Sequence, residues 1–100
     1  MKRVNVNELK NFVGQEVLLK GWVSQYRELK KMSFLILRER TGYCQIIVPK
    51  EVFGTISPES VVEIIGTVKE ESQSRYGGVE IVAKEVKVTS NAQLLPFPIN

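Results

Sequence analysis

Apolar residues recur in five runs of strand length along the chain, separated by short polar or glycine-containing segments. Each run is rich in Val, Ile, Leu or aromatic residues, which favour the pleated and half-buried surface of a β-sheet. A slip in the apolar alternation near Ala83 predicts a β-bulge, and Gly21 suits a second bend or bulge. The pattern therefore predicts strands over residues 16–26, 34–38, 43–48, 61–70 and 79–88.

A short helical segment precedes the first strand. Asn5 can cap it, and Glu8, three residues later, is the partner that a capping box requires. The apolar residues of the segment approximate one stripe before Gly14: Val6, Leu9, Phe12 and Val13. One short N-terminal helix is therefore predicted to pack on the strands.

The order of these elements favours one kind of barrel. Five short strands with glycine-assisted bends, and a break over residues 49–60, match a five-stranded Greek-key barrel of the oligonucleotide/oligosaccharide-binding (OB) type. An SH3-like barrel is the nearest alternative. In an OB barrel, ligands bind the face of the second and third strands together with two neighbouring loops. The predicted class is all-β, and the residues at that face are the candidates for function.

Strand alternation separates the two faces of the predicted hairpin. The inward set is Leu35, Leu37, Cys44, Ile46 and Val48, and the outward set is Phe34, Ile36, Arg38, Tyr43, Gln45 and Ile47. The flanking loops add Arg27, Lys30, Lys31, Arg75 and Tyr76. Aromatic residues ringed by cations are typical of single-strand nucleic-acid binding, because bases stack on rings while Lys and Arg contact phosphates.

Each of these residues also has a structural explanation. A register shift of one residue would exchange the two faces of the hairpin. Trp22, beside Gly21 on the first barrel strand, is expected to pack as a structural residue, and Cys44 as a small buried hydrophobe. The outward apolar residues could equally form a protein-association patch: Phe34, Ile36, Tyr43 and Ile47.

The uneven charge distribution along the chain favours nucleic acid as the ligand. The 100 residues carry a net charge of +3, but residues 1–50 hold ten basic and four acidic side chains, whereas residues 51–100 hold four and seven. The basic half contains the candidate hairpin, and such local clustering is the electrostatic footprint of nucleic-acid binders.

The composition also excludes several classes of site. With no His and only Cys44, the chain cannot assemble a Cys/His zinc site or a His-dependent nucleophile pair. It contains no glycine-rich phosphate loop and no stretch of about 20 apolar residues that would span a membrane. A cytoplasmic protein without membrane contact is expected, and neither a catalytic residue nor a metal site is predicted.

Several motifs resemble a known family in their order and spacing: 21–23 (Gly-Trp-Val), 27–29 (Arg-Glu-Leu), 34–42, 45–46, 62–68, 78–82 and 95–99 (Leu-Pro-Phe-Pro-Ile). Together they resemble the N-terminal anticodon-binding domain of class IIb aminoacyl-tRNA synthetases over almost the whole chain. The aspartyl and asparaginyl enzymes are the most similar, with the aspartyl branch slightly favoured.

This resemblance implies roles for four residues. Phe34 matches the aromatic residue that stacks on the central anticodon uridine, and Gln45 matches the amide that reads the same base. Arg27 matches an arginine of the anticodon-binding loop, and Glu80 is a weaker match from the last strand. The expected partner is a tRNA anticodon stem-loop.

The sequence departs from the family pattern at three places. Ile36 stands where the family often has an acidic residue, and Lys30 stands where it often has Gly. Residues 50–60 are short for the usual helical connection between two strands. These three departures bear on two properties that the resemblance implies, which are the preference for a particular base and the closure of the barrel.

The resemblance also implies a domain organisation. Residues 1–93 are expected to form the anticodon-binding domain, and residues 94–100 the start of a linker to an absent catalytic domain. ATP and Mg would belong to that catalytic domain of a homodimeric parent ligase, so this chain, with no cofactor of its own, is expected to be non-catalytic and monomeric. A freestanding single-strand-binding protein of the same fold and a protein-interaction module are the alternatives.

Overall fold

A computed structural model describes residues 2–50 and 60–90. Along these residues the elements are β1 (Lys2–Arg3), a 3₁₀ helix (Val6–Phe12), β2 (Glu16–Glu28), β3 (Met32–Glu39), β4 (Gly42–Pro49), β5 (Val61–Glu70) and β6 (Val79–Ser90). The five predicted strands are therefore all present. The predicted domain boundary after residue 93, the linker 94–100 and nearly all of the 50–60 connection lie outside the described residues.

Strand pairing closes the sheet into a barrel. Strands β2, β3 and β4 pair in sequence as an antiparallel meander, and β4 then pairs in parallel with β6. Strand β6 pairs antiparallel with β5, and β5 pairs back onto β2. Because the ring is closed, each of these five described strands has a partner on both sides, which confirms the predicted five-stranded Greek-key barrel.

The core confirms the predicted register of the hairpin. Leu35 and Leu37 of β3 and Cys44, Ile46 and Val48 of β4 are fully buried. The outward set on the same two strands is partly or largely exposed. The apolar alternation thus placed both faces correctly, because one face of this sheet is closed against the barrel interior.

The N-terminal segment differs from the prediction in detail. It forms a 3₁₀ helix, and the Asn5 amide donates to Oε1 of Glu8 at 2.9 Å, as the capping pair predicts. Leu9 is buried in the core, with Phe12 packed half-buried beside it. Val13 is 44% exposed, so it does not belong to the apolar stripe as predicted. It follows the last residue of the helix, where the periodicity no longer applies.

The sequence analysis did not predict strand β1, and it placed the irregularity of β2 at the wrong residue. Strand β1, which pairs in parallel with Val17 and Leu18, is too short to show any periodicity. The bulge in β2 lies between Val23 and Gln25, at Ser24, and not at Gly21. Gly21 instead permits close approach of β3, because a Cβ there would overlap the carbonyl oxygen of Arg38.

The predicted bulge in β6 is confirmed. The register of β5 against β6 shifts between Ile65 and Gly66, so that Lys84 lies between the paired residues Ala83 and Glu85. Gly66 lies directly beside this bulge, in contact with the β6 backbone. The bend of β6 around the barrel therefore depends on the absence of a side chain at position 66.

We predict that Gly66→Ala lowers the free energy of unfolding by about 1–3 kcal/mol, the usual cost of overpacking. The added Cβ would lie 2.5 Å from the carbonyl oxygen of Val82 and 2.6 Å from Cγ2 of Ile81. Denaturant unfolding measures the change. The control Glu70→Ala, at an exposed position of the same strand, should stay within about 0.5 kcal/mol of the parent. Equal stability of the two variants would contradict the close approach.

Candidate nucleic-acid interface

The bulge at Ser24 decides which β2 side chains reach the outer face. Before it, Val23 is buried and Trp22 points outward. After it, Tyr26 turns toward the core and its hydroxyl donates to Oγ of Ser33 at 3.1 Å. Arg27 consequently lies opposite Phe34 on the outer face, so its predicted position in a flanking loop is wrong, and it is a residue of strand β2. Without the extra residue, strict alternation would point Arg27 into the barrel.

The outer face is organised in rows that run across the strands. One row joins Arg27, Phe34 and Ile47 through the β2–β3 and β3–β4 pairings. The next row joins Gln25, Ile36, Gln45 and Glu80, the last through the parallel β4–β6 pairing. Both rows lie in one open groove.

We call this depression the hairpin groove. It has a volume of about 930 Å³ and is lined by Ser24, Gln25, Tyr26, Arg27, Met32, Phe34, Ile36, Gln45, Ile47, Glu71, Gln73, Ser74 and Glu80. Five of the predicted site residues thus come together: Arg27, Phe34, Gln45, Ile47 and Glu80. A groove of mixed aromatic, aliphatic and amide character can hold a flat ring and also bond to its edge.

A hydrogen bond orients the amide at the floor of the groove. Nε2 of Gln45 donates to Oε1 of Glu80 at 3.0 Å, and Glu80 is only 9% exposed. An ionised carboxylate only accepts hydrogen bonds, so Glu80 requires the NH₂ side of the amide to face it. The amide oxygen of Gln45 is then the group that does not bond to Glu80.

Of the predicted cations, Arg27 is in the described lining of the groove, and the others lie outside that lining: Lys30, Lys31, Arg38 and Arg75. The lining also contains the carboxylates of Glu71 and Glu80. Lys30 and Lys31 are exposed at the tip of the three-residue loop between β2 and β3. The β2–β3 loop therefore carries positive charge next to the end of the strand that bears Arg27.

Arg75 is exposed on the loop between β5 and β6 and does not line the groove. The Glu71 amide of that loop donates to the Gly78 carbonyl at 2.9 Å and closes the loop at its base. Arg75 is thus placed near the groove but outside it.

The remaining predicted residues form contacts of their own. The guanidinium of Arg38 lies 5.3 Å from the centre of the Trp22 ring, and the rings of Tyr43 and Tyr76 are 6.2 Å apart with a 37° tilt. Trp22 was expected to pack as a structural residue, but its side chain is 43% exposed and contacts Arg38 on the outer face. Gly21 occupies the adjacent inward position of β2, and the following side chain consequently faces solvent.

Sequence reasoning missed part of the groove lining: Ser24, Gln25, Tyr26, Met32, Glu71, Gln73 and Ser74. Gln25 could have been found by alternation from Arg27, but only once the bulge at Ser24 was known. The three loop residues carry no periodic signal, because their position follows from how the β5–β6 loop folds over the sheet.

Cys44 lies on the buried side of β4, as predicted. Burial, followed by the nearby charges of Glu39 and Glu80, raises the pKa of its thiol from 9.0 to about 12. Since the thiolate is the reactive form, Cys44 is unsuited to act as a nucleophile.

Within residues 2–50 and 60–90, no group of three or more His, Cys, Asp or Glu side chains is arranged to hold a metal ion. The same portion of the chain contains no helix that is long and apolar enough to cross a membrane.

We predict that Cys44 reacts with an aromatic disulfide reagent at pH 8 only at the rate at which the barrel opens. The pKa of the Cys44 thiol is higher in the folded chain than in the unfolded chain. The contribution of the buried neutral thiol to the free energy of unfolding is therefore complete below pH 9.0, and it is lost as the pH rises toward about 12. Labelling in native buffer and in denaturant measures the protection. Native labelling as fast as that of the denatured chain would contradict the buried position.

Comparisons with known proteins agree with this geometry. Residues 17–89 match the tRNA anticodon family, described as an OB-fold nucleic acid binding domain. The asparagine–tRNA ligase of Pelotomaculum thermopropionicum is 37% identical over 108 residues, covering 100% of this chain and 24% of that protein. The aspartate–tRNA(Asp/Asn) ligase of Thermus thermophilus is 41% identical over 100 residues, covering 97% of this chain and 22% of that protein.

Among solved structures, the asparaginyl-tRNA synthetase of Pyrococcus horikoshii complexed with asparaginyl-adenylate superposes with a TM-score of 0.80 at 30% identity. The match covers 96% of this chain and 24% of that one. The chain thus spans about a quarter of the length of the relatives it matches. It belongs to the tRNA anticodon family of OB-fold nucleic acid binding domains, and the relatives it is similar to are aspartate– and asparagine–tRNA ligases.

Proposed function

We propose that the hairpin groove binds the anticodon loop of a tRNA and reads its central base. The observation that carries the proposal is the placement of Phe34 and Gln45 on adjacent rows of one groove, with the Gln45 amide held by Glu80. Membership of the anticodon family gives this groove its ligand class.

Phe34 supplies the stacking surface. Its ring is half-buried between the cross-strand neighbours Arg27 and Ile47, which leaves one side of the groove open. Stacking of a base on an aromatic residue contributes about 1–3 kcal/mol and is tolerant of base identity. Phe34 therefore supplies affinity, and another group must supply selectivity.

Gln45 supplies selectivity through the direction of its amide. Uridine presents an N–H donor next to a carbonyl acceptor, whereas cytosine presents a ring-nitrogen acceptor next to an amino donor. An amide could satisfy either base by turning over. Glu80 opposes that rotation, because its carboxylate cannot donate to the amide oxygen. A fixed amide can therefore prefer one pyrimidine over the other, and we propose that the preferred one is uridine.

Arg27, Lys30 and Lys31 lie where the backbone of a bound loop would run. Arg27 borders the Phe34 row, and the two lysines are exposed at the loop beyond it. Contacts of this kind release counterions from the nucleic acid, so the proposed binding weakens as the salt concentration rises.

We expect Phe34→Ala to weaken binding of an anticodon stem-loop with a central U by about 1–3 kcal/mol, the value of one stacked base. Fluorescence anisotropy at fixed salt measures the dissociation constant. Val13→Ala, which truncates an exposed apolar residue outside the groove, is the control and should bind like the parent chain. An unaltered affinity for Phe34→Ala, or equal affinity of the parent for central U and central C, would sink the proposal.

A second substitution tests the amide. Glu80→Gln should relax the preference for U over C, because a glutamine can accept or donate and lets the Gln45 amide take either orientation. The lost discrimination is about 1–3 kcal/mol, the value of one paired base contact. Glu85→Gln, an exposed carboxylate on the same strand, is the matched control. An unchanged preference in Glu80→Gln would show that Gln45 is oriented by something else.

Two other functions predict different results in these experiments. A general single-strand binder would bind both stem-loops equally while remaining salt-dependent. A protein-interaction module would bind neither, and would associate through the apolar part of the groove in sedimentation. Only a preference for the central U that depends on the groove supports the anticodon function.

We also propose that this domain serves a longer ligase that joins aspartate or asparagine to tRNA with ATP and Mg, and that the parent is a homodimer while this domain alone is monomeric. The relatives matched are about four times longer than this chain. The natural reading frame after residue 100 tests the idea. Class II synthetase motifs there would support it, and a stop codon would contradict it.

A further inference from the structure

A side-chain hydrogen bond joins the two strands of the hairpin β2–β3 behind the proposed stacking surface. The Tyr26 hydroxyl of β2 donates to Oγ of Ser33 in β3 at 3.1 Å. Ser33 is 2% exposed, and Tyr26 is partly buried against the core while it also lines the hairpin groove. We call Tyr26 and Ser33 the hairpin clamp, and it reaches from the core to the edge of the groove.

The hairpin clamp runs diagonally behind one pair of groove residues. Tyr26 precedes Arg27 on β2, and Ser33 precedes Phe34 on β3. Arg27 and Phe34 are themselves directly paired across the two strands. Because successive residues of a strand point to opposite faces, the hydrogen bond lies on the inner side of the sheet and this pair on the outer side. A change in the spacing of the strands at the clamp consequently moves Arg27 relative to Phe34.

The end of this hairpin has room to open. Glu28 and Ser33 form the terminal pair in the β2–β3 register, and the Leu29 amide donates to the Met32 carbonyl at 2.8 Å to close the loop. A cavity of about 220 Å³ lies at this end, lined by Glu28, Leu29, Lys30, Met32, Ser33 and Lys50. Strand ends with exposed side chains open locally at a lower free-energy cost than the core, so one hydrogen bond has a large share in keeping this end closed.

The hairpin clamp is polar at a position where an apolar pair would also fit. Ser33 occupies an inward position of β3, and the next inward residues, Leu35 and Leu37, are apolar and fully buried. Replacing both partners of a buried hydrogen bond by apolar groups of the same shape costs little stability. A hydrogen bond adds direction, because it restricts both the distance and the angle between the two side chains. The clamp is therefore better suited to fix a geometry than to stabilise the core.

We propose that Tyr26 is a positioning residue for RNA binding, whose hydrogen bond to Ser33 holds the hairpin end so that Arg27 and Phe34 face the anticodon loop together. This inference rests on the proposed function and extends it. A chain without the bond populates the binding conformation less, and its apparent dissociation constant rises by the inverse of the populated fraction. Because the clamp acts through Phe34 and not on a base, its loss lowers affinity and leaves the preference for a central U unaltered.

Removal of either hydroxyl tests the clamp. Tyr26→Phe and Ser33→Ala should each weaken binding of a stem-loop with a central U by about 2- to 10-fold, the equilibrium effect of one hydrogen bond. The double variant should bind as weakly as either single variant, because both substitutions remove the same bond. In a Phe34→Ala background, Tyr26→Phe should change affinity by less than about twofold, since the ring that the clamp positions is gone. Fluorescence anisotropy at fixed salt measures these dissociation constants.

Amide hydrogen exchange of the free chain separates positioning from a general loss of stability. In Tyr26→Phe the Leu29 amide should exchange faster than in the parent chain. The Val23 amide, which donates to the Ser60 carbonyl at 2.8 Å from the same strand, should keep the exchange rate of the parent. Gly66→Ala is the matched control for binding, because it destabilises the barrel outside the groove lining and should leave the affinity for RNA unchanged.

Four outcomes would overturn the positioning role. If Phe34→Ala weakens binding but Tyr26→Phe does not, the groove binds the anticodon loop without the clamp. If Tyr26→Phe weakens binding and Ser33→Ala does not, the Tyr26 hydroxyl acts directly on RNA. If Tyr26→Phe accelerates exchange at Val23 as much as at Leu29, its effect is a general loss of stability. If the parent chain binds no stem-loop, the proposed function is wrong and the positioning role is wrong with it.

Discussion

Strand β2 pairs with two partners along its length, and the rest of the barrel depends on how it changes from one to the other. Residues 16–22 pair with β5, and residues 22–28 pair with β3. Trp22 belongs to both ladders, facing Val61 on one side and Arg38 on the other. A single strand can close a barrel in this way only if it bends sharply, and the bulge at Ser24 lies two residues beyond the crossover.

The same bend determines the binding surface. Because Ser24 is an extra residue on β2, the outward positions change from even to odd numbers, which brings Gln25 and Arg27 alongside Ile36 and Phe34. The outer face then becomes a set of parallel rows across the strands. Gln45 and Glu80 lie in one of these rows, because the parallel β4–β6 pairing places them side by side, and their hydrogen bond follows from that pairing. Barrel closure and the arrangement of the groove are therefore two consequences of one local irregularity.

Much of this arrangement was predictable from the residue pattern. Strands β3 and β4 alternate cleanly because one of their faces is sealed in the barrel, so the inward position of Leu35 and the outward position of Phe34 follow from the period of a strand. The bulge beside Gly66 was also visible as a slip in the alternation. Family resemblance suggested the roles proposed for Phe34 and Gln45, which the strand pattern could place on the surface but could not assign.

Other features depend on contacts that are distant in sequence. The bulge at Ser24 lies at the end of the apolar run, because Gln25 and Arg27 follow it, so no interruption of alternation marks it, and its effect on Arg27 is visible only in the paired strands. Trp22 is a residue type that is usually well covered, and it is exposed because it lies between the inward positions Gly21 and Val23 of β2. The loop residues of the groove have no periodicity. Their positions are set by the closure of the β5–β6 loop.

We propose that one face of the barrel, organised by the bulge in β2, binds the anticodon loop. Backbone amide chemical-shift mapping during titration with an anticodon stem-loop tests it most directly, because every described non-proline residue is a reporter. If the anticodon loop binds this face, the largest amide chemical-shift changes occur at the outward residues of β3 and β4, at residues 24–27 and in the β5–β6 loop. Shifts confined to the outer face of β5, or no shifts at all, would contradict it.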